Sequence, residues 1–232
     1  MLGRGIDCIL PHPSNPALHE DFAKSALDYV ALAERKHGLI PRPVGYDYIW
    51  GDLLEDLNQE EVAAKIVNLE TSVTVSDKFL PKGINYRMHP SNIPALAAPK
   101  IDCCALANNH ILDWGTDGLA ETLHVLRGAG IQFAGAGMTL PEATAPAPIL
   151  LRDGRRILVF GFALQSSGVP ASWAAGINHP GVNLLQDLSD TSLKAISKRV
   201  IAVRAPKDVL VASTVTKCKL PSFAWPKIIA LS

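Results

Sequence analysis

Two asparagines, a histidine and an aspartate crowd the segment Ala107-Asn108-Asn109-His110-Ile111-Leu112-Asp113. Asn109 offers an amide oxygen and His110 an imidazole nitrogen, both of which a divalent cation accepts as ligands. Asp113, three residues on, has two readings: it orients His110 by accepting the proton of one ring nitrogen, or it caps the helix that follows. A second cluster, Glu70-Thr71-Ser72, supplies a carboxylate. A third set, Lys82, Arg87 and His89, lies in an irregular stretch from Pro81 to Pro90 and suits a carboxylate or phosphate, with Arg as a two-pronged fork and Lys as a point charge. Each feature also has a plain alternative. Asn-Asn-His reads as a turn with His110 packed under Trp114, Glu70 as a solvated strand end, and the basic set as a solvated loop.

The surrounding pattern places the first two clusters at the ends of strands. Ile66-Val67-Asn68-Leu69 is a short apolar run ending at Glu70, and Ile101-Asp102-Cys103-Cys104-Ala105-Leu106-Ala107 is a second, ending at the asparagine pair. Thr116 to Leu126 then reads as an amphipathic helix closed by Gly128 and Gly130. In open α/β sheets ligands gather beyond the carboxyl ends of strands, which is where both clusters fall.

Further strands are expected at Ile131 to Ala134, Arg156 to Phe162 and Val209 to Ala212. Helices are expected from Asp21 to Gly38, from Trp50 to Leu57, from a Ser91 or Asn92 cap to Leu96, and from Ser189 to Val203. Gly135-Ala136-Gly137 lacks the Lys-Ser/Thr ending of a phosphate loop and reads as a tight strand-end turn with close backbone approach. Alternating strands and helices argue for an α/β fold with a largely parallel, buried sheet.

Composition excludes several classes. The chain has 232 residues, 22 basic and 22 acidic, so no global field draws it to nucleic acid. Four cysteines are few and show no CxxC spacing, and the adjacent Cys103 and Cys104, inside an apolar run, read as small core residues rather than a disulfide or metal pair. No apolar run reaches the length of a membrane span and Met1 to Asp7 has no signal core, so the chain as written is expected to be cytoplasmic.

Taken in order, Asn68-Leu69-Glu70-Thr71-Ser72, Lys82-Gly83-Ile84-Asn85-Tyr86-Arg87, Ala107-Asn108-Asn109-His110 through Asp113-Trp114-Gly115, and Ala134-Gly135-Ala136-Gly137 resemble the CapA family of capsule and poly-γ-glutamate synthesis proteins. The resemblance runs from Met1 to about Ser213 and implies a layered α/β sandwich like that of calcineurin-like metallophosphatases. It implies that Asn109 and Glu70 are ligands of divalent metal ions (Mn, Fe, Zn or Mg), and that His110 faces the substrate with Asp113 behind it. Lys82, Arg87 and His89 would then meet an anionic polymer or a phosphate-containing substrate, and the reaction would be a metal-dependent, phosphoesterase-like hydrolysis.

The family carries further ligand groups: a Gly-Asp ahead of the segment matching Met1 to Gly5, and histidines in His-Trp-Gly and Gly-His motifs after the segment matching Ser213. Here Thr214 to Ser232 follows a divergent course. The expectation is a partial metallophosphatase-type domain over residues 1 to 213 with a tail from 214 to 232. Its metal would be weakly held or absent, and the alternative role is that of a catalytically inactive accessory protein.

Overall fold

The computed structural model describes residues 2–59, 62–203, 208–216 and 229–230. In chain order the elements are α1 (Gly5–Ile9), α2 (Leu27–His37), α3 (Leu53–Gln59), β1 (Ile66–Asn68), β2 (Ser72–Val73), β3 (Arg87–Met88), α4 (Pro94–Ala97), β4 (Cys103–Ala105) and α5 (Gly115–Gly128). There follow β5 (Gln132–Ala134), β6 (Ala136–Gly137), α6 (Leu140–Thr144), β7 (Ala147–Leu150), β8 (Arg156–Leu164), β9 (Gly181–Val182), β10 (Leu184–Leu185), α7 (Asp190–Val203), β11 (Asp208–Thr216) and β12 (Ile229–Ala230). The fold is α/β, and the chain forms two compact, interleaved units. One comprises residues 1–65, 69–101 and 110–131, the other 66–68, 102–109 and 132–232.

The first unit is built on α1 and α2, which enclose Ile9, Leu10, Val30, Val44 and Ala95. Asp7 of α1 is buried and acts as a knot: its carboxylate accepts from the backbone N–H of Ser14 (2.7 Å) and of His89 (2.8 Å) and from Asn92 Nδ2 (2.9 Å). Helix α2 starts at Leu27, later than its apolar spacing suggests. Residues 17–26 instead form a tight excursion in which Ala17 bridges Ser25, and Ser25 Oγ rather than Asp21 takes the Leu27 N–H. Phe22, expected on the helix, is exposed. Gly38 closes the helix with φ 89°, a conformation open to glycine.

Short β2 and β3 pair in parallel, and α5 fastens them. Thr122 Oγ1 accepts from the Val73 N–H at 2.9 Å while donating to the Gly118 carbonyl at 2.7 Å, and Glu121 takes the Val75 N–H at 2.9 Å. The stretch from Pro81 to Pro90, expected to be irregular, therefore contains a strand. Two residues are too few to show a period of two. The 3-10 turn at Pro90–Asn92 is capped by His89, whose Nδ1 accepts from the Ser91 N–H, so neither Ser91 nor Asn92 is the cap.

In the second unit β4 lies between β1 and β5, all parallel, and Cys103, Cys104 and Ala105 are buried. Such a strand reads as a continuous apolar run because both its faces are covered. Long β8 pairs in parallel with β11 and β10 and antiparallel with β7, so the expected single sheet is divided into several small ones that are still mostly parallel. Val200 and Ile196 of α7 pack on Leu158, Phe160 and Phe162. Gly135, at φ 97°, bears out the tight turn: a Cβ there would meet the Gly161 Cα at 2.9 Å and the Ala107 Cβ at 2.7 Å. Of the tail from Thr214 to Ser232, residues 217–228 and 231–232 lie outside the described residues. The backbone of β11 runs unbroken to Thr216.

Among the described residues, no helix is long and apolar enough to cross a membrane. The thiols of Cys8 and Cys103 are pushed up to about 11 and about 12, chiefly by burial, and burial drives Cys104 higher still. Because the thiolate is the nucleophile, mapped iodoacetamide labelling at pH 8 is expected to leave Cys103 and Cys104 unmodified in the native chain and to modify both in urea. Rapid native labelling of either would contradict the buried β4.

Candidate functional site

The loop between β4 and α5 turns tightly enough to fold back on itself. Asp113 N–H donates to the His110 carbonyl at 3.3 Å, and Gly115 N–H to the Leu112 carbonyl at 3.0 Å. Ile111, Leu112 and Trp114 are buried, so this part of the loop is anchored by its apolar residues, and His110 and Asp113 turn to one another. Ser72 Oγ, at the start of β2, donates to the His110 and Ile111 carbonyls at 3.0 and 3.1 Å.

Asp113 is fully buried and is the hub of the first unit's polar cluster. Its Oδ2 accepts from His110 Nδ1 at 2.8 Å and from the Tyr86 N–H at 2.6 Å, and its Oδ1 faces Lys82 Nζ at 2.6 Å. An ionised carboxylate has no proton to give, so Nδ1 carries the hydrogen and Nε2 is the acceptor nitrogen of the ring. Lys82 Nζ also lies 3.5 Å from Nδ1, a contact between two donors that only their shared carboxylate makes tolerable. The two readings of Asp113 are thereby decided in geometry: the residue before α5 is Trp114, with no side-chain cap, and the Asp113 carboxylate turns to His110.

Tyr86 completes the cluster, and its position in the sequence gave no sign of this. Its ring meets the His110 ring edge-on with centroids 4.3 Å apart, and its carbonyl accepts from Trp114 Nε1 at 3.0 Å. The Arg4 guanidinium lies 4.6 Å from the Tyr86 ring centroid and is itself paired with buried Glu20. Burial pushes the Tyr86 phenol above its ordinary range; Arg4 opposes the shift, while Glu70, Tyr29 and Asp113 reinforce it. His110 thus packs under Tyr86 rather than under Trp114.

The basic set Lys82, Arg87 and His89 is not gathered into one anion-binding surface. Lys82, partly exposed, joins the Asp113 cluster. Arg87 is buried: Nη1 donates to the Ser76 carbonyl (2.7 Å) and Asp77 Oδ1 (2.8 Å), and its plane covers the Trp114 ring at 4.1 Å. His89 caps its own turn.

Glu70 is half-buried, and among the described residues its carboxylate makes no hydrogen bond or ion pair. A carboxylate left in that state suits a hard cation in kind, as does His110 Nε2; Asp113 does not, because both its oxygens are engaged. Among the described residues no group of three or more His, Cys, Asp and Glu side chains is placed to hold a metal ion, so closing a coordination sphere would take other donors as well. In the second unit, Asn108 is buried and its Nδ2 donates to Asn68 Oδ1 at 3.1 Å, tying the ends of β1 and β4. Asn109 is half-buried beside Gly168, which adopts φ 82°; a Cβ there would stand 3.4 Å from Asn109 Nδ2.

Residues 1–215 match the family described as bacterial capsule synthesis protein PGA_cap. The chain is 45% identical over 215 residues to a probable polyglutamine synthesis accessory protein of Mycobacterium tuberculosis (strain CDC 1551 / Oshkosh), covering 92% of this chain and 57% of that protein. The same figures hold for its counterpart in strain ATCC 25618 / H37Rv. An uncharacterized protein of Sinorhizobium fredii (strain NBRC 101917 / NGR234) is 35% identical over 98 residues, 40% of this chain and 21% of its own length. The chain therefore spans somewhat more than half the length of the mycobacterial relatives it matches.

Proposed function

The chain belongs to the PGA_cap family of bacterial capsule synthesis proteins, and from that membership we propose that it handles an anionic polymer, or a phosphate-containing precursor of one, at the His110 cluster, and that it hydrolyses a phosphoester-type bond with a divalent cation. The observation that carries this reading is the buried Asp113 carboxylate, which holds His110, Lys82 and the Tyr86 backbone at once. Building a His-Asp pair into a sealed position costs desolvation, and the pairing through Nδ1 fixes the tautomer of the imidazole.

His110 is the proton-handling residue. With Nδ1–H bound to Asp113, neutral Nε2 accepts a proton, and the imidazolium so formed donates it to an oxygen that is gaining charge. Asp113 stabilises that imidazolium, and Lys82 keeps the cluster from carrying excess negative charge that would repel an anion. Glu70 would hold a divalent cation, which when bound supplies Lewis acidity and neutralises charge on a phosphoryl oxygen; Asn109 is the amide ligand that the family resemblance implies.

The second reading, an accessory protein that binds anionic polymer without turning it over, is favoured by Lys82, a part-exposed cation 2.6 Å from Asp113 that needs no metal to attract an anion. Hydrolysis of bis-p-nitrophenyl phosphate in Mn²⁺ separates the two. Turnover that falls about a hundredfold or more in His110→Ala is expected for a general acid–base residue. Activity that survives His110→Ala would remove His110 from the chemistry. Polymer binding without any turnover would leave the accessory reading.

A further inference from the structure

We propose that Tyr86 is a ligand-binding residue of the His110 site, donating its phenol hydrogen to a carboxylate or phosphate oxygen, with Arg4 as the residue that sets its ring. The inference rests on the His110 cluster being where an anion binds. Tyr86 performs its structural work through its backbone, whose N–H goes to Asp113 (2.6 Å) and whose carbonyl receives Trp114 Nε1 (3.0 Å) and the Ser72 N–H (3.4 Å). The hydroxyl makes no hydrogen bond with any other described residue, and it is not among the buried polar atoms that lack a partner, so solvent or a ligand reaches it. A tyrosine that served only to pack against His110 would need no hydroxyl there. Tyr and Trp ordinarily find a partner for their polar end when they are buried.

The way Arg4 is delivered supports a placed ring. Gly3 passes so close to β3 that a Cβ on it would stand 2.7 Å from the Arg87 carbonyl oxygen, which brings the next residue alongside Tyr86. Arg4 itself adopts φ 58° with ψ −127°, a conformation that non-glycine residues avoid and that persists only where the surroundings enforce it. Its guanidinium is clasped by Glu20 and by Tyr29, Nη1 donating to the Tyr29 hydroxyl at 2.9 Å, and lies over the Tyr86 ring. The cation fixes the ring, and a phenol keeps its proton at neutral pH. A protonated phenol donates a hydrogen bond, and an oxyanion is its natural acceptor.

The test is calorimetric titration of the full chain with inorganic phosphate and, separately, with a γ-linked glutamate trimer, each with and without Mg²⁺. The two ligands share the oxyanion and distinguish a phosphate from a polymer carboxylate as its source. Tyr86→Phe keeps the ring, the cation–π face and every backbone bond, and is expected to weaken the bound probe about tenfold, the value of one hydrogen bond to an anion. Arg4→Lys keeps the pairing with Glu20 but loses the flat cation; it is expected to weaken binding to a similar degree, and the double variant no further. Tyr86→Phe that binds as tightly as the wild type overturns the inference, whether or not its melting temperature moves. If His110→Ala and Lys82→Ala have by then lost binding, the reading of the His110 site stands without it. Wild-type chain that binds neither probe overturns both.

Discussion

Asp113→Ala is expected to lower the unfolding free energy by about 3 kcal/mol and Asp113→Asn by about 2 kcal/mol, read as a shift in the urea midpoint at unchanged slope. The carboxylate is fully buried and serves three donors: His110 Nδ1, the Tyr86 N–H and Lys82 Nζ. Alanine leaves all three without an acceptor. Asparagine is nearly isosteric but replaces one oxygen with an NH₂, so in either orientation a donor faces a donor. Lys82 is part-exposed and can swing out to water, whereas the Tyr86 N–H cannot, so the amide would keep its oxygen toward Tyr86 and His110 and lose the lysine. That asymmetry is why asparagine is the milder change.

The functional loss is expected to exceed the loss of stability. Asp113→Asn leaves most of the fold intact, yet an amide no longer selects the tautomer of His110 or stabilises its protonated form, so anion handling at the site is expected to fall by about two orders of magnitude or more. Asp117→Asn is the control: its pair with Lys78 lies on the surface, and its midpoint is expected to stay where it was. A midpoint unmoved by Asp113→Ala would show that the cluster is solvated rather than built in.

What the sequence disclosed of this site depended on distance along the chain. His110 and Asp113 are three residues apart in one loop, so their pairing could be anticipated, although a helix cap competed with it until the fold placed Trp114 before α5. Strands β1, β4, β5 and the long β8 were legible because each is an apolar run bounded by polar or glycine residues. Lys82 and Tyr86 reach the same carboxylate from about thirty residues upstream, and no periodicity encodes such an encounter. Arg87 shows the opposite failure. By residue type it should meet an anion, but Trp114, Ser76 and Asp77 claim its guanidinium inside the unit. Charge in a sequence indicates what a residue can bind, and only packing decides which partner it has. The two-residue strands β2 and β3 and the buried pair of Arg4 with Glu20 were missed for the same reason: each is specified by neighbours remote in sequence. The antiparallel β7 pairs with the adjacent β8 and was hidden instead by Pro148, which argues against a strand.

Gly161→Val is expected to be strongly damaging to the second unit, costing about 4 kcal/mol or more and leaving that unit open to limited proteolysis. A Cβ at Gly161 would lie 2.7 Å from the Ala134 carbonyl oxygen and 2.8 Å from the Gly135 Cα, both backbone atoms that cannot rotate away. Gly128→Ala is the contrast, since no atom lies within 4 Å of its Cβ; ending α5 with alanine is expected to stabilise by about 0.5 kcal/mol. The consequence of Gly161 reaches the asparagine pair. Gly135 is pressed between Gly161 and Ala107, and Ala107 leads directly into Asn108, which is bound to Asn68, and Asn109. A side chain inserted at Gly161 would push Gly135 against the residue that starts the polar loop. The glycine turn after β5, which has none of the features of a phosphate loop, therefore acts on the asparagine pair by letting three backbone segments of the second unit converge at Ala107.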